Sequence, residues 1–118
     1  MTDITAVTPF LADAAAAELE DWGALEEATG EPMQASGRTL WWSDEGGQEA
    51  GVWQCTAGPS YWVQEENEFV HILSGSLTVT PDGGSPRTLG PGDAAMFPRG
   101  WRGTWDLHET VRKVYAIF

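Results

Sequence analysis

From residue 38 onward, apolar and polar positions alternate in short runs that are cut by Gly and Pro. A period of two is the signature of strands that bury one face. Candidate strands are residues 39–42, 51–56, 68–73, 76–80, 87–89, 93–97, 103–107 and 111–118. Pro81, Asp82, Gly83 and Gly84 fit a hairpin turn, because Asp-Gly and Gly-Gly pairs tolerate the positive φ that tight hairpins demand. Gly90, Pro91, Gly92 and Asp93 mark another turn. Short strands at this spacing predict an all-β barrel or sandwich. The upstream segment reads differently. Over residues 8–28, Thr8 is a candidate N-cap, Pro9 stands at the first helical position, an alanine run covers 14–17, and Leu19, Trp22 and Leu25 recur every third residue. Gly23 weakens this pattern, and Thr29, Gly30, Glu31 and Pro32 end it. The expectation is a short N-terminal helix or irregular arm within residues 1–37, packing its Trp on a barrel built from 38–118.

Composition narrows the class. At 118 residues the chain is the size of one domain, and seven Trp, four Phe and two Tyr supply a large apolar load for it. No apolar run approaches a membrane span, and the first residues lack the basic and apolar regions of a secretory signal, so the cytoplasm is the expected location. A lone Cys55 fits a reducing compartment. The formal charge is −12, with eleven of the 18 acids in residues 1–50 beside the single base Arg38. Such a surface repels phosphate backbones and anionic lipid, which excludes nucleic acid and membrane as expected partners.

Two blocks carry a more specific pattern. Glu68 is followed after six residues by Gly75, and Gly92 is followed by Pro98 and Gly100 at the spacing G-x5-P-x-G. These spacings resemble the two cupin motifs, G-x5-H-x-H-x3,4-E-x6-G and G-x5-P-x-G-x2-H-x3-N. The phrases Gly51 to Thr56 with Gly58, Phe97 to Trp101 with Trp105, and Glu109 to Lys113 with Tyr115 resemble one subgroup of small cupins, that of the ureidoglycine aminohydrolase cupin domain and the ethanolamine-utilisation cupin. The resemblance covers residues 51–118 and implies a double-stranded β-helix, or jelly-roll, barrel that is commonly dimeric, with a small-molecule site at its open end. It also implies where a metal would be held: the motif's ligand positions fall here on Trp62, Gln64, Glu68 and Gly103, with the trailing Asn at Leu107. One carboxylate and one amide are too few for a first-row metal, so no metal and no cofactor are expected.

Candidate chemistry centres on Glu68. Alternation places Gln64, Glu68, Val70 and Ile72 on one face and Phe69, His71 and Leu73 on the other, and the resemblance makes the first face the interior. A carboxylate there needs a partner or becomes a poised acid or base. Lys113 shares a face with Val111, Tyr115 and Ile117 and is the expected partner; in the opposite register Arg112 takes that place. Trp105 shares parity with Gly103, and its indole is expected to fill the space of the absent histidine. Trp53, Tyr61, Trp62 and Trp101 are candidates to complete an aromatic lining for flat or cationic ligands. His71, His108 and Cys55 read as structural, and Glu65, Glu66 and Asn67 as a polar bend.

The expected function is binding, and potentially turnover, of a small polar or nitrogen-containing metabolite, with Glu68 and Lys113 as proton-transfer and polarising groups and Tyr61, Gln64, Trp53, Trp62 and Trp105 contacting the ligand. The alternatives are a non-catalytic binding or sensing module, a metal-dependent enzyme like the aminohydrolase, and a structural dimer unit. A homodimer is expected, with Trp41 and Trp42 offering apolar surface.

Overall fold

A computed structural model of the chain describes residues 7–43 and 45–118. The first six residues, on which the expected lack of a secretory signal rests, lie outside the described residues. Among the described residues, ten strands form two antiparallel sheets. They are β1 (Glu20–Ala24), β2 (Gln34–Trp42), β3 (Glu49–Cys55), β4 (Gly58–Val63), β5 (Glu68–Ser74), β6 (Leu77–Pro81), β7 (Arg87–Leu89), β8 (Ala94–Phe97), β9 (Arg102–Leu107) and β10 (Val111–Ile117). The larger sheet has the order β1-β2-β3-β10-β5-β8 and the smaller β4-β9-β6-β7. The fold is the all-β barrel of two packed sheets that the alternation and turn spacing predict, in keeping with the jelly roll that the resemblance implies.

The inward positions of the two sheets meet in one core. Val70 and Ile72 from β5, Val111 and Tyr115 from β10, and Trp53 and Cys55 from β3 face Leu77 and Val79 of β6 and Trp105 and Leu107 of β9. Successive residues of a strand point to opposite faces, so burial of Glu68, Val70 and Ile72 leaves Phe69 43% exposed.

The expected helix over 8–28 does not form; among the described residues there is no helix. The alanine run makes only one turn, closed by Ala16 N–H donating to the Asp13 carbonyl at 2.9 Å. The carbonyls of Ala14 and Ala17 instead accept from Arg112 Nη1, each at 3.0 Å, which pins this arm to the outer side of β10. Downstream, Glu20–Ala24 pairs with β2, and tertiary pairing of this kind overrides a weak local helix preference. The register of β1 shifts between Asp21 and Gly23, and Gly23 has φ +84°, a left-handed conformation that glycine adopts without steric cost. Trp22 sits in that bulge and projects over Gly37 of β2; a Cβ on Gly37 would stand 2.3 Å from the indole ring. A second strand absent from the expectation, β4, begins with Gly58 and Pro59. Proline is tolerated because β4 is the edge strand of its sheet. That edge is partly covered by residues 27–29: Tyr61 N–H donates to the Glu27 carbonyl and Thr29 N–H to the Pro59 carbonyl, both at 3.0 Å. No helix is long and apolar enough to cross a membrane among the described residues.

Candidate functional site

Lys113 is the only lysine in the chain, and it lies 5% exposed inside the barrel. Its Nζ stands 2.8 Å from Glu68 Oε2, and Glu68 is 7% exposed. The two residues are not directly opposed. Lys113 pairs with Ile72 across the β10–β5 ladder, whereas Glu68 pairs with Ile117, so the lysine side chain extends along the strands to reach the carboxylate. On the way its ammonium crosses two indole faces, 4.5 Å from the Trp53 ring centroid and 4.2 Å from that of Trp105. Ion pairing, cation–π attraction and an apolar sheath around the stem together offset the loss of water. The other carboxylate oxygen, Oε1, accepts a long bond of 3.4 Å from Gln64 Nε2.

The aromatic wall is fixed by contacts of its own. Trp62 Nε1 donates to Ser60 Oγ at 2.8 Å, and Ser60, fully buried, donates to the Trp105 carbonyl at 2.9 Å. The Trp62 and Trp105 rings lie 4.5 Å apart, and Trp53 meets each of them edge-on at 6.4 Å. Trp105 Nε1 is buried without a hydrogen-bond partner, so the ring contributes through its face alone.

A cavity of about 420 Å³ opens over this ion pair. Trp53, Trp62, Glu68, Lys113, Tyr115 and Ile117 line it from the barrel. Glu49 of β3 lines it beside Tyr115, whose hydroxyl donates to the Glu49 carboxylate. Burial first, and then that carboxylate, push the Tyr115 hydroxyl far above the ordinary phenol range, so it remains a neutral donor. Trp22, Glu26 and Glu27, from β1 and the segment after it, also line it.

Of the residues singled out in the sequence, Glu68, Lys113, Trp53 and Trp62 therefore come together at the cavity. Gln64 and Trp105 stand behind it, bracing Glu68 and Lys113. Tyr61 does not join them. It neighbours Trp62 on β4 and so points to the opposite face, where it is 38% exposed and bonded to Asp82. Acceptance by that carboxylate raises its hydroxyl pKa. Arg112 faces the N-terminal arm rather than the interior. The space beside Gly103 is occupied by Trp101 and backbone, not by Trp105: a Cβ there would lie 2.3 Å from the Thr80 carbonyl oxygen and 2.7 Å from the Trp101 ring. Trp101 packs edge-on against Phe97 at 4.9 Å. Cys55 is fully buried, and burial pushes its thiol up to about 11 against smaller opposing effects from the Thr56 backbone and Lys113. His108 bonds Ser76 and Thr78 on the outside. Trp22, Glu26, Glu27, Glu49 and Tyr115 were not singled out as site residues. Only Tyr115 and Ile117 had a sequence signal, their shared parity with Lys113; Trp22 is directed inward by a bulge that strict periodicity does not register.

With this geometry in place, the comparisons define the class as a small cupin. The match to the EutQ-like cupin domain family spans residues 42–115, well over half of the chain, and the chain belongs to that family. A DUF861-family protein of unknown function from Pseudomonas syringae pv. tomato superposes with TM-score 0.79 at 20% identity, over 88% of this chain and 46% of that one. This chain thus spans about half the length of that neighbour. A DUF861-family protein from Thermotoga maritima shares 34% identity over 57% of this chain and 76% of its own, with TM-score 0.55. The putative ethanolamine utilization protein Q of Salmonella typhimurium gives TM-score 0.66 at 21% identity, over 81% of this chain and 76% of that one. No protein of curated function matches the chain significantly.

The residues do not fit the metal that the cupin motif implies. Trp62 spends its N–H on Ser60, Gln64 and the Lys113 ammonium occupy the two oxygens of Glu68, and Gly103 has no room for a side chain. The described residues contain no cluster of three His, Cys, Asp or Glu able to hold a metal ion. His71 lies on the outer face of β5, and Glu66 pairs with Arg99 at 3.0 Å on the surface, so neither supplements Glu68.

Proposed function

We propose that the chain is a small-molecule receptor whose cavity holds a nitrogen-containing metabolite against the indoles of Trp53 and Trp62, above the Glu68 and Lys113 pair. The observation that carries this reading is a buried ion pair, 2.8 Å apart, at the wall of a 420 Å³ aromatic cavity. Small-ligand sites have this make-up: mostly apolar walls with a few fixed polar groups. Recognition is favoured over turnover because the charged groups neutralise one another and Tyr115 is held as a phenol. A thermal-shift screen of amines, amino acids, ureides and sugar acids tests it. A ligand at about a hundred times its Kd adds about 2.7 kcal/mol of stability, and a cavity that only fills space gives no shift with any of them.

A second reading is proton transfer by Glu68 with Lys113 polarising the substrate. It draws on the same pair, since a ligand group that accepts from Lys113 loosens its hold on Glu68. Incubating each binding compound with the protein and following it by mass spectrometry separates turnover from binding. The reading also includes a homodimer. Trp42 is 62% exposed and Leu40 38% exposed on β2, an apolar surface suited to a second copy. Sedimentation equilibrium that shows only monomer at micromolar concentration removes this part.

A further inference from the structure

We infer that the ligand of this cavity is an organic cation, an ammonium or guanidinium compound held between the mouth carboxylates and the tryptophan faces. The inference rests on the reading of the cavity as a binding site and adds the charge of what enters it.

The charge of the lining is lopsided. Glu26, Glu27, Glu49 and Glu68 face the cavity, and the one cation among the lining residues is Lys113. Lys113 is already committed to Glu68. Glu49 accepts a neutral hydrogen bond from Tyr115, which leaves its charge uncompensated. No arginine lines the cavity among the described residues, so a carboxylate or phosphate ligand would meet three surplus negative charges and no free cation.

The walls suit the same ligand. Trp22, Trp53 and Trp62 all line the cavity, and indole is the side chain whose face attracts a cation most strongly. Trp22 reaches the mouth only because the β1 bulge turns it inward and Gly37 leaves room beneath its ring. The protein also contains an internal example of the recognition. The Lys113 ammonium is held by a carboxylate at 2.8 Å and indole faces at 4.5 and 4.2 Å. The mouth repeats that combination, carboxylates and indole, with no protein cation to fill it among the described residues.

The test is isothermal titration of the full chain at low ionic strength with choline and agmatine as cations, N-methylurea as a neutral compound, and acetate and inorganic phosphate as anions. The expected result is binding of at least one cation, weakened when salt rises to about 0.5 M because exposed mouth charges are screened. The double variant Glu26→Gln with Glu27→Gln should weaken cation binding about fivefold, in keeping with two partly exposed ion pairs. Trp22→Ala should weaken it further with the fold intact by circular dichroism. Tighter binding of the neutral compound or an anion overturns the cation assignment and leaves the receptor reading standing. Cation binding that ignores both variants overturns its placement at the mouth. Heat from none of the five overturns the cation assignment, and the receptor reading falls with it only if the wider thermal-shift screen is also blank.

Discussion

The two sheets contribute unequally to the interior. Every ionisable group lining the cavity comes from the larger sheet or from the segment joining its first two strands: Glu26, Glu27, Glu49, Glu68, Lys113 and Tyr115. The smaller sheet supplies the Trp62 indole to the lining, with Trp105, Leu77, Val79 and Leu107 packed behind. One wall thus carries the charge and the other keeps water away from it. The interior thus holds a polar centre although the motif's ligand positions offer no metal site. Three of the four motif ligand positions lie on or just after strands of the smaller sheet, at Trp62, Gln64 and Gly103, and two of these are now aromatic or empty. The cation of the site stands on β10, as Lys113.

The contrast is broken most severely by removing one charge from the polar wall. Lys113→Met leaves a buried carboxylate unpaired and should cost about 3–5 kcal/mol in urea unfolding. Combining it with Glu68→Gln should recover part of that loss, with a coupling energy of about 0.5–3 kcal/mol in a double-mutant cycle. Strict additivity would show that the two side chains do not act as a pair.

On the apolar wall the expected effect is smaller. Gly103→Ala drives a methyl group to within 2.3 Å of the Thr80 carbonyl and 2.8 Å of the Pro81 Cα, both backbone atoms that cannot rotate away. Overpacking of this kind costs about 1–3 kcal/mol. Gly103→His should therefore lower the melting temperature at least as much, and it should not create a zinc site. A stable histidine variant that binds zinc would contradict the packing of Gly103.

Alkali probes the larger sheet, which carries both Cys55 and Tyr115. Burial pushes the Cys55 thiol up from an ordinary value of 9.0 to about 11 in the folded chain. The unfolded state releases its proton first, so stability should be full below pH 9 and decline as pH rises toward 11. Tyr115 is shifted in the same direction and adds to the decline. Native Cys55 should also resist a thiol reagent at pH 8 until the chain unfolds; immediate modification would contradict its burial. The smallest effect is expected on the outer face, where Arg112→Gln frees the arm carbonyls of Ala14 and Ala17. Stability should change by less than about 1 kcal/mol, while cleavage by protease within residues 10–19 should accelerate.

Strand-forming segments were legible in the sequence where alternation and turn residues agreed. Residues 87–89 match β7 end to end, and 103–107 and 111–118 differ from β9 and β10 by one residue. The two faces of β5 followed from parity, and the resemblance marked the Glu68 face as the interior. What could not be read locally depended on partners distant in the chain. Residues 20–24 are a strand because β2 offers an open edge, and 58–63 because an edge tolerates Pro59. The same limit applies to the site. Glu68 and Lys113 were visible as a potential pair by parity, but Trp22, Glu26 and Glu27 reach the mouth through a bulge and a long connection. Tyr61 was misplaced for the same reason: 58–63 was not among the expected strands, and only once β4 is known do Tyr61 and Trp62 fall on opposite faces.

The chain's one lysine sits on Glu68 against two indole faces, as the resident cation of the barrel. Because Lys113 is unique, selective 13C,15N-lysine labelling gives a single set of side-chain signals. Ring currents from Trp53 and Trp105 should move its ε-methylene protons well upfield of the free-lysine position, and Glu68→Gln should shift them again. Free-lysine chemical shifts, unchanged in the Glu68→Gln variant, would place the ammonium in solvent and contradict the account.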